Sequence, residues 1–347
     1  MNFLTCFKNK HITSNNNNNN TIRESISNII TTESNINIMN NNDYLYVILT
    51  YFNYCSSKSR KQLFMNFINK YKNIPGIRIC IAEAKLNGSD FQLPKSLSNI
   101  YMHIGITTQE CIWIKESLIN IVIEKLPNNW KYIAWIDADL TFLNTNWVYD
   151  TINKLKSYDV IQLYQTCINV GPNGEAFKID NSFGYMHETS KFPWTKTHKY
   201  GFWHPGYAWA CTRFAYSSMN KLIDFGILGS GDHHMALALI GKVNLSHPGN
   251  IHTNYKNLLI GFQERCLKNN LKLSYINGSI LHHWHGRLED RKYQERWNIL
   301  TKENYDPLND LYYTSEGYIQ LTQTGKRFTS LLLNYFNERN EDNPTLI

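Results

Sequence analysis

The sequence predicts an α/β protein, a nucleotide-binding mixed sheet flanked by helices behind a disordered N-terminal tail. Short apolar strands alternate with amphipathic helical stretches, the pattern of βαβ units. One buried strand, within Lys131 to Phe142 (KYIAWIDADLTF), stops abruptly at two carboxylates, Asp137 and Asp139. Residues 1–42 carry six consecutive asparagines, Asn15 to Asn20, amid Ser/Thr/Ile-rich sequence that cannot build a core.

The first ordered element is the apolar run Tyr44 to Thr50, with Tyr51, Phe52 and Asn53 at its carboxyl end. Leu63, Phe64, Phe67, Ile68 and Tyr71 then recur at helical spacing between Ser57 and Lys72. Pro75-Gly76 turns the chain into a second strand, Ile77 to Ala82, followed by Glu83. No G-x-G-x-x-G loop is present, so a nucleotide would be held by side chains and strand-end backbone. A third strand, Asn99 to Ile104, and a helix, Thr108 to Lys125, lead through Pro127 into the strand of the two acids. A helix over Thr145 to Lys156 and a strand over Val160 to Tyr164 complete the first half. From Thr166 to Gly201 the periodicity dissolves into Gly, Pro, Asn and aromatic residues, as in a functional loop or lid. It returns with a strand at Tyr207 to Cys211, a helix at Arg213 to Leu222 and a helix opened by Asp232. A helix between Tyr255 and Lys268, a strand near Ile280 and a helix from Glu289 to Leu300 follow.

A chain of 347 residues, 42% of them hydrophobic, can form one large domain or two ordinary ones. The net charge of +7 is dispersed, which argues against a nucleic-acid groove and favours a phosphate-bearing substrate. Seven cysteines without a C-x-x-C pair, several inside apolar runs, read as free thiols in a reducing, cytoplasmic compartment. No run approaches the ~18 apolar residues of an integral membrane segment.

In an extended segment Asp-Ala-Asp points both carboxylates to one side. Such hard oxygen ligands suit Mg²⁺ or Mn²⁺ and a diphosphate, the alternative being a strand-end turn or helix cap. Asp232 follows the glycine-rich turn Gly226 to Gly231, where it reads as an N-cap or as a general base at a helix N-terminus. Within His282-His283-Trp284-His285-Gly286-Arg287, His283 and His285 alternate along a strand and would share a face as metal ligands. Arg287, Arg291 and Lys292 follow and would neutralise a departing diphosphate. The strip Trp203 to Trp209 suits stacking on a sugar, or core packing beside a turn.

Taken in order, the strand ending Thr-Tyr-x-Asn, the acid after the second strand, W-x-K-E-x-L-x-N, D-A-D, G-x-G-D-H-H and the late H-x-H resemble a GT-A-fold glycosyltransferase. The type is family-2-like and inverting, found in bacteria and large DNA viruses, and the resemblance covers roughly Tyr44 to Asp310. It implies transfer of a sugar from a nucleotide-sugar donor, UDP-linked, to a glycan, protein or lipid acceptor, with Mn²⁺ or Mg²⁺. Thr50, Tyr51 and Asn53 would border the nucleotide, Glu83 the base or ribose, and Lys115 and Asn120 would touch the nucleotide. Asp137 and Asp139 would approach ribose and metal, with His283 or His285 as the late ligand. Asp232 matches the catalytic base, although the pair of acids common there is broken by Gly231. The implied domains are the tail 1–42, a transferase domain 43–310 with a nucleotide-sugar half (43–165) and an acceptor half (166–310), and an extension 311–347. The asparagine-rich composition suits a large DNA virus or a protist, and a viral protein would work in the host cytoplasm.

Two other classes account for part of the pattern. A metal-dependent hydrolase or phosphoesterase would gather Asp137, Asp139, His233, His234 and the late histidines around two metals. A carbohydrate-binding module would use the aromatic residues and leave the acids unexplained.

Overall fold

A computed structural model describes residues 43–189 and 203–345. The expected disorder of residues 1–42 and the last part of the expected Thr166–Gly201 loop lie outside them. Asn41–Ile347 form one compact unit, so the extension after residue 310 belongs to the same body as the sheet.

The chain opens with β1 (Leu45–Phe52), α1 (Lys58–Tyr71), β2 (Ile77–Leu86), β3 (Met102–Thr108), α2 (Lys115–Glu124) and β4 (Tyr132–Ile136). It continues through β5 (Leu140–Phe142), α3 (Trp147–Lys154), β6 (Val160–Gln162), β7 (Thr166–Val170), β8 (Ala176–Ser182) and α4 (Phe183–Glu188). Next come β9 (Trp203–His204), β10 (Ala208–Thr212), α5 (Arg213–Met219), α6 (Gly231–Leu239), α7 (Thr253–Lys268), β11 (Leu273–Tyr275) and β12 (Ser279–His282). Then follow α8 (Glu295–Lys302), α9 (Pro307–Asp310), the hairpin β13 (Leu311–Tyr313) and β14 (Ile319–Leu321), and α10 (Thr329–Glu338).

Among the described residues seven strands form the main sheet, in the order β11-β6-β10-β4-β1-β2-β3. β4, β1, β2 and β3 run parallel, and β10 is antiparallel to β4 and β6. This is the expected mixed sheet flanked by helices. The chain builds outward from β1 through β2 and β3, then returns to place β4 on the other side. A crevice therefore opens at the carboxyl ends of β1 and β4, where open α/β sheets bind ligands. β1 is buried along almost its whole length, as an inner parallel strand should be. α2 packs across β1 and β2 with every residue from Lys115 to Ile123 buried. Polar side chains on such a helix must find partners or cost stability, which draws Lys115, Glu116 and Asn120 into networks.

A smaller sheet, β5-β12-β7-β8-β9, lies beside the crevice. Its register sets His282 opposite Leu140, so β12 delivers the histidine segment next to Asp139.

Three expectations shift. The helix expected from Thr108 begins at Lys115, and Thr108 is the last residue of β3. The stretch from Thr166 opens with the hairpin β7–β8, which turns at Asn173-Gly174 with Gly174 at φ +83°. The helix expected over Glu289–Leu300 splits into a 3-10 turn, Glu289–Arg291, and α8. No helix among the described residues is long and apolar enough to cross a membrane.

Candidate active site

β4 ends at Ile136, and Asp137 N still donates to Tyr207 O (2.8 Å), extending the β4–β10 ladder to the crevice floor. A turn then carries Asp139 toward the end of β12. Asp139 Oδ2 stands 2.9 Å from His285 Nε2 and 3.8 Å from His282 Nε2, and the two imidazole nitrogens are 3.2 Å apart. The three candidate ligand atoms all lie within 4.8 Å of one another. Asp139 Oδ1 is buried with no hydrogen-bond partner, a costly state that a cation would relieve.

The surroundings prepare these groups for a metal. His282 Nδ1 meets Asn169 Oδ1 at 2.9 Å, while Asn169 Nδ2 donates to Asp180 Oδ2 at 3.0 Å, which fixes the amide's orientation. An amide oxygen only accepts, so Nδ1 carries the proton and Nε2 presents its lone pair to the site. Burial holds His282 well below the ordinary histidine pKa and lowers His285 as well, keeping both neutral, the form that ligates metal. Burial raises Asp139, but in the acid range, where His285 and His282 carry protons, their charge together with that of Arg291 outweighs it and holds its carboxyl well below the usual range. One carboxylate and two imidazoles with open positions suit a first-row divalent ion, and these residues fit one.

His283 lies outside the cluster, its Nε2 2.9 Å from Thr141 Oγ1. The expected alternation fails because β12 stops at His282 and the chain turns toward Gly286, at φ +88°. A turn brings together residues three apart, here His282 and His285.

A second corner forms around Lys115. Its Nζ is 2.7 Å from Asp137 Oδ1 and 3.1 Å from Asp232 Oδ2. Asp137 therefore faces an ammonium group, and it belongs to no metal-ligating group among the described residues. Burial, with help from Asp139 and Asp232, pushes Asp137 up to about 6 against the opposing pull of Lys115. Burial lowers Lys115, but Asp137, Asp232 and Glu116 outweigh it and keep the amine charged. Asp232 sits in the first turn of α6 and is not its cap; Ser230 precedes the helix at φ 84° and makes no side-chain cap bond. The Asp232 carboxylate, with its side chain 20% exposed, is turned to Lys115 instead. A Cβ at Gly206 would lie 3.5 Å from Asp232 Oδ2 and 2.9 Å from His204 Cε1. His204 stacks on Tyr207 at 3.9 Å and Tyr207 tilts onto His282 at 4.7 Å, so an aromatic column joins the two corners.

Glu116 is the functional candidate that the sequence reading missed. A Cβ at Gly231 would fall 2.5 Å from Glu116 Oε1, so the glycine leaves the space that this carboxyl fills. Trp113 Nε1 donates to Glu116 Oε2 at 3.2 Å, and burial pushes the carboxyl up to about 8 against the pull of Lys115. The acid absent beside Asp232 in the chain is matched in space by one from α2.

Among the remaining candidates Tyr51, Asn53, Glu83 and Asn120 are bonded within the fold. Thr50 is half-buried near the carboxyl end of β1. Tyr51 Oη donates to Gln92 Oε1 (2.7 Å) and Asn53 Nδ2 to the same oxygen (2.9 Å). Glu83, inside β2 rather than after the strand, accepts from Gln92 N (2.6 Å) and Leu93 N (3.0 Å) and meets His103 Nε2 at 3.3 Å. It pins the loop after β2. Asn120 is equally occupied: its amide nitrogen donates to Leu222 O and Asp224 Oδ2, and its oxygen accepts from Leu222 N and Tyr216 Oη. At 1% exposure it closes an internal loop and has nothing left for a nucleotide. In the aromatic strip Trp203, Tyr207 and Trp209 are buried, so core packing prevails there. His234 is sealed between Ser246 Oγ and Tyr255 Oη, and His233 packs against Trp203. Arg287 pairs with Glu289 and Asp290, and Lys292 with Glu338, whereas Arg291 turns inward to His285.

No family model matches the chain, and no curated protein does. Among solved structures it is similar to Drosophila β1,4-galactosyltransferase 7 complexed with manganese, UDP-Gal and xylobiose. That match has 13% identity and a TM-score of 0.39, covering 83% of this chain and 98% of that chain. A putative nucleotide-diphospho-sugar transferase of Desulfovibrio desulfuricans is 10% identical over 84% of this chain and 97% of that one, at a TM-score of 0.34. A fragment of S. aureus TarS is 8% identical over 74% and 64% respectively, at a TM-score of 0.38. Likeness this distant carries no residue's role across to this chain.

Proposed function

We propose that the chain is a GT-A-type glycosyltransferase that moves a sugar from a nucleoside-diphosphate donor, UDP-linked, to an acceptor hydroxyl with inversion. The observation that supports this most is the pairing of an Asp139/His282/His285 cluster with a lysine-clamped carboxylate, Asp232, around Asp137 and Asp139 at the end of β4.

Asp139, His282 and His285 would hold a divalent ion, Mn²⁺ or Mg²⁺, which would supply positive charge against the negative charge growing on the leaving diphosphate. Arg291, 2.9 Å from His285, adds a fixed positive charge beside it. Asp232 takes the proton of the acceptor hydroxyl, a role worth about 10²–10⁴ in rate. Lys115 holds that carboxylate in place through its second partner, Asp137. Glu116, buried and pushed up to about 8, keeps its proton at neutral pH. Asp232 is the more exposed of the two and the one an acceptor can reach.

The hydrolase alternative asks for a second metal on His233 and His234, and neither joins a ligand cluster among the described residues. The test is a screen of UDP-, GDP- and dTDP-sugars for Mn²⁺-dependent thermal stabilisation, followed by donor-hydrolysis and transfer assays. Turnover of simple phosphoesters without nucleotide-sugar binding would replace the transferase with the hydrolase.

A further inference from the structure

Beyond α10 the chain runs between two edges of the crevice. On one side Asp342 accepts from Ser57 Oγ (2.8 Å), Lys58 N (2.9 Å) and Ser59 N (2.8 Å), capping α1. On the other, Trp284 Nε1 donates to Asn343 O (2.7 Å), and a Cβ at Gly286 would strike Asn340 O at 2.8 Å. Between these anchors Glu341 accepts a two-pronged pair of bonds from Arg60, both 2.6 Å, and a third from Arg339 Nε at 2.9 Å.

One carboxylate thus serves two guanidinium groups. A third, Arg291, is buried at 7% exposure with its Nε unpartnered. Its Nη1 donates to Tyr293 Oη (3.3 Å), its Nη2 faces His285 Nε2 (2.9 Å), and among the described residues no carboxylate pairs with it. Tyr335 links Arg291 to Arg339, donating to the carbonyl of the first (3.3 Å) and accepting from Nη1 of the second (3.4 Å). Three arginines, Arg291 and Arg339 buried and Arg60 partly so, therefore share Glu341 and, through His285, Asp139, the Asp342 carboxylate being engaged at the N-terminus of α1. A divalent ion on Asp139, His282 and His285 would raise that positive excess further. Buried positive charge in excess calls for an anion. A cavity of about 240 Å³ lies at the clamp, lined among others by Asn53, Ser57, Arg60, Arg339, Glu341 and Asp342.

We propose that Arg60 and Arg339, with Arg291, form the clamp for the donor's diphosphate, and that Glu341 occupies the clamp until the diphosphate displaces it. The naming of the anion rests on the transferase reading, while the clamp rests on the arginine geometry. A guanidinium fork that grips a carboxylate at two oxygens grips a phosphate in the same way. The C-terminal segment is then a working wall of the donor site.

Inorganic pyrophosphate, titrated calorimetrically in EDTA, isolates the clamp from the metal. Glu341→Gln should bind it about tenfold more tightly than wild type, and Arg60→Lys about tenfold more weakly through loss of the fork. In the wild-type protein bound pyrophosphate should also speed hydrogen exchange at residues 339–343, a readout that survives if a variant fails to fold. Unchanged or weaker binding by folded Glu341→Gln, or unchanged or slower exchange at 339–343, would make Glu341 a structural tie and overturn the proposal. The two readings separate cleanly. Pyrophosphate responses without nucleotide-sugar binding would sink the transferase and keep the clamp. Sugar transfer without those responses would do the reverse.

Discussion

Replacing Gly231 by Ala sets two effects of known size against each other. Gly231 is the first residue of α6, and an alanine in a helix ordinarily gains about 0.5–1 kcal/mol over glycine. Here the added methyl would lie 2.5 Å from Glu116 Oε1, 2.6 Å from its Cδ and 2.8 Å from its Cγ, far inside van der Waals contact. Glu116 cannot step aside cheaply, because it is buried and would give up the bond from Trp113, worth about 0.5–1.5 kcal/mol. Overpacking of this kind costs about 1–3 kcal/mol, so it should win, with a net loss of about 1–2 kcal/mol in urea unfolding. The double variant Gly231→Ala/Glu116→Ala removes the obstacle and should be more stable than the sum of the single changes. A Gly231→Ala protein as stable as wild type, or more so, would show that Glu116 does not fill that space and would remove it from the site.

The other predictions concern the metal corner and the buried acid. His282→Ala should weaken Mn²⁺ binding by more than the ~10–100-fold that even an outer partner costs, while His283→Ala leaves it unchanged by calorimetry. Equal losses would return His283 to the ligand set. Asn169→Leu should weaken Mn²⁺ by about 10–100-fold without touching a ligand, because His282 loses the acceptor that fixes its tautomer. Glu116 is raised from 4.5 to about 8, so the folded state binds its proton more tightly than the unfolded chain does. The stability this provides is complete below pH 4.5 and is lost as pH climbs through about 8. In EDTA, wild type should therefore lose stability relative to Glu116→Gln across that window; parallel curves would contradict it.

The parts of the fold that could be read from sequence were those with a one-sided or uninterrupted apolar pattern. β1 and the acid-tipped β4 are inner strands whose apolar runs admit no other reading, and α1 shows its buried face at helical spacing. α2 hid its start because every residue from Lys115 to Ile123 is buried, leaving no polar face to mark a boundary. β8 escaped because it is an exposed, polar strand, although Asn173-Gly174 is a strong hairpin signal. In the site, Asp139, Asp232 and His285 each stand in a local motif, which makes them legible as candidates from sequence alone. His282 needed the turn after β12, and Glu116 needed the gap left by a glycine far along the chain. The Arg60–Glu341–Arg339 contact joins opposite ends of the described chain, and nothing local to any of the three announces it.

The central claim is that a cation held by Asp139, His282 and His285 anchors an activated sugar within reach of Asp232. Titration of a UDP-sugar, with and without Mn²⁺, into wild type, Asp139→Asn and Asp232→Asn tests it most directly. Binding should require Mn²⁺ in wild type, vanish in Asp139→Asn, and persist in Asp232→Asn while sugar transfer is lost. Metal-independent binding, or binding that survives Asp139→Asn and disappears in Asp232→Asn, would contradict the account.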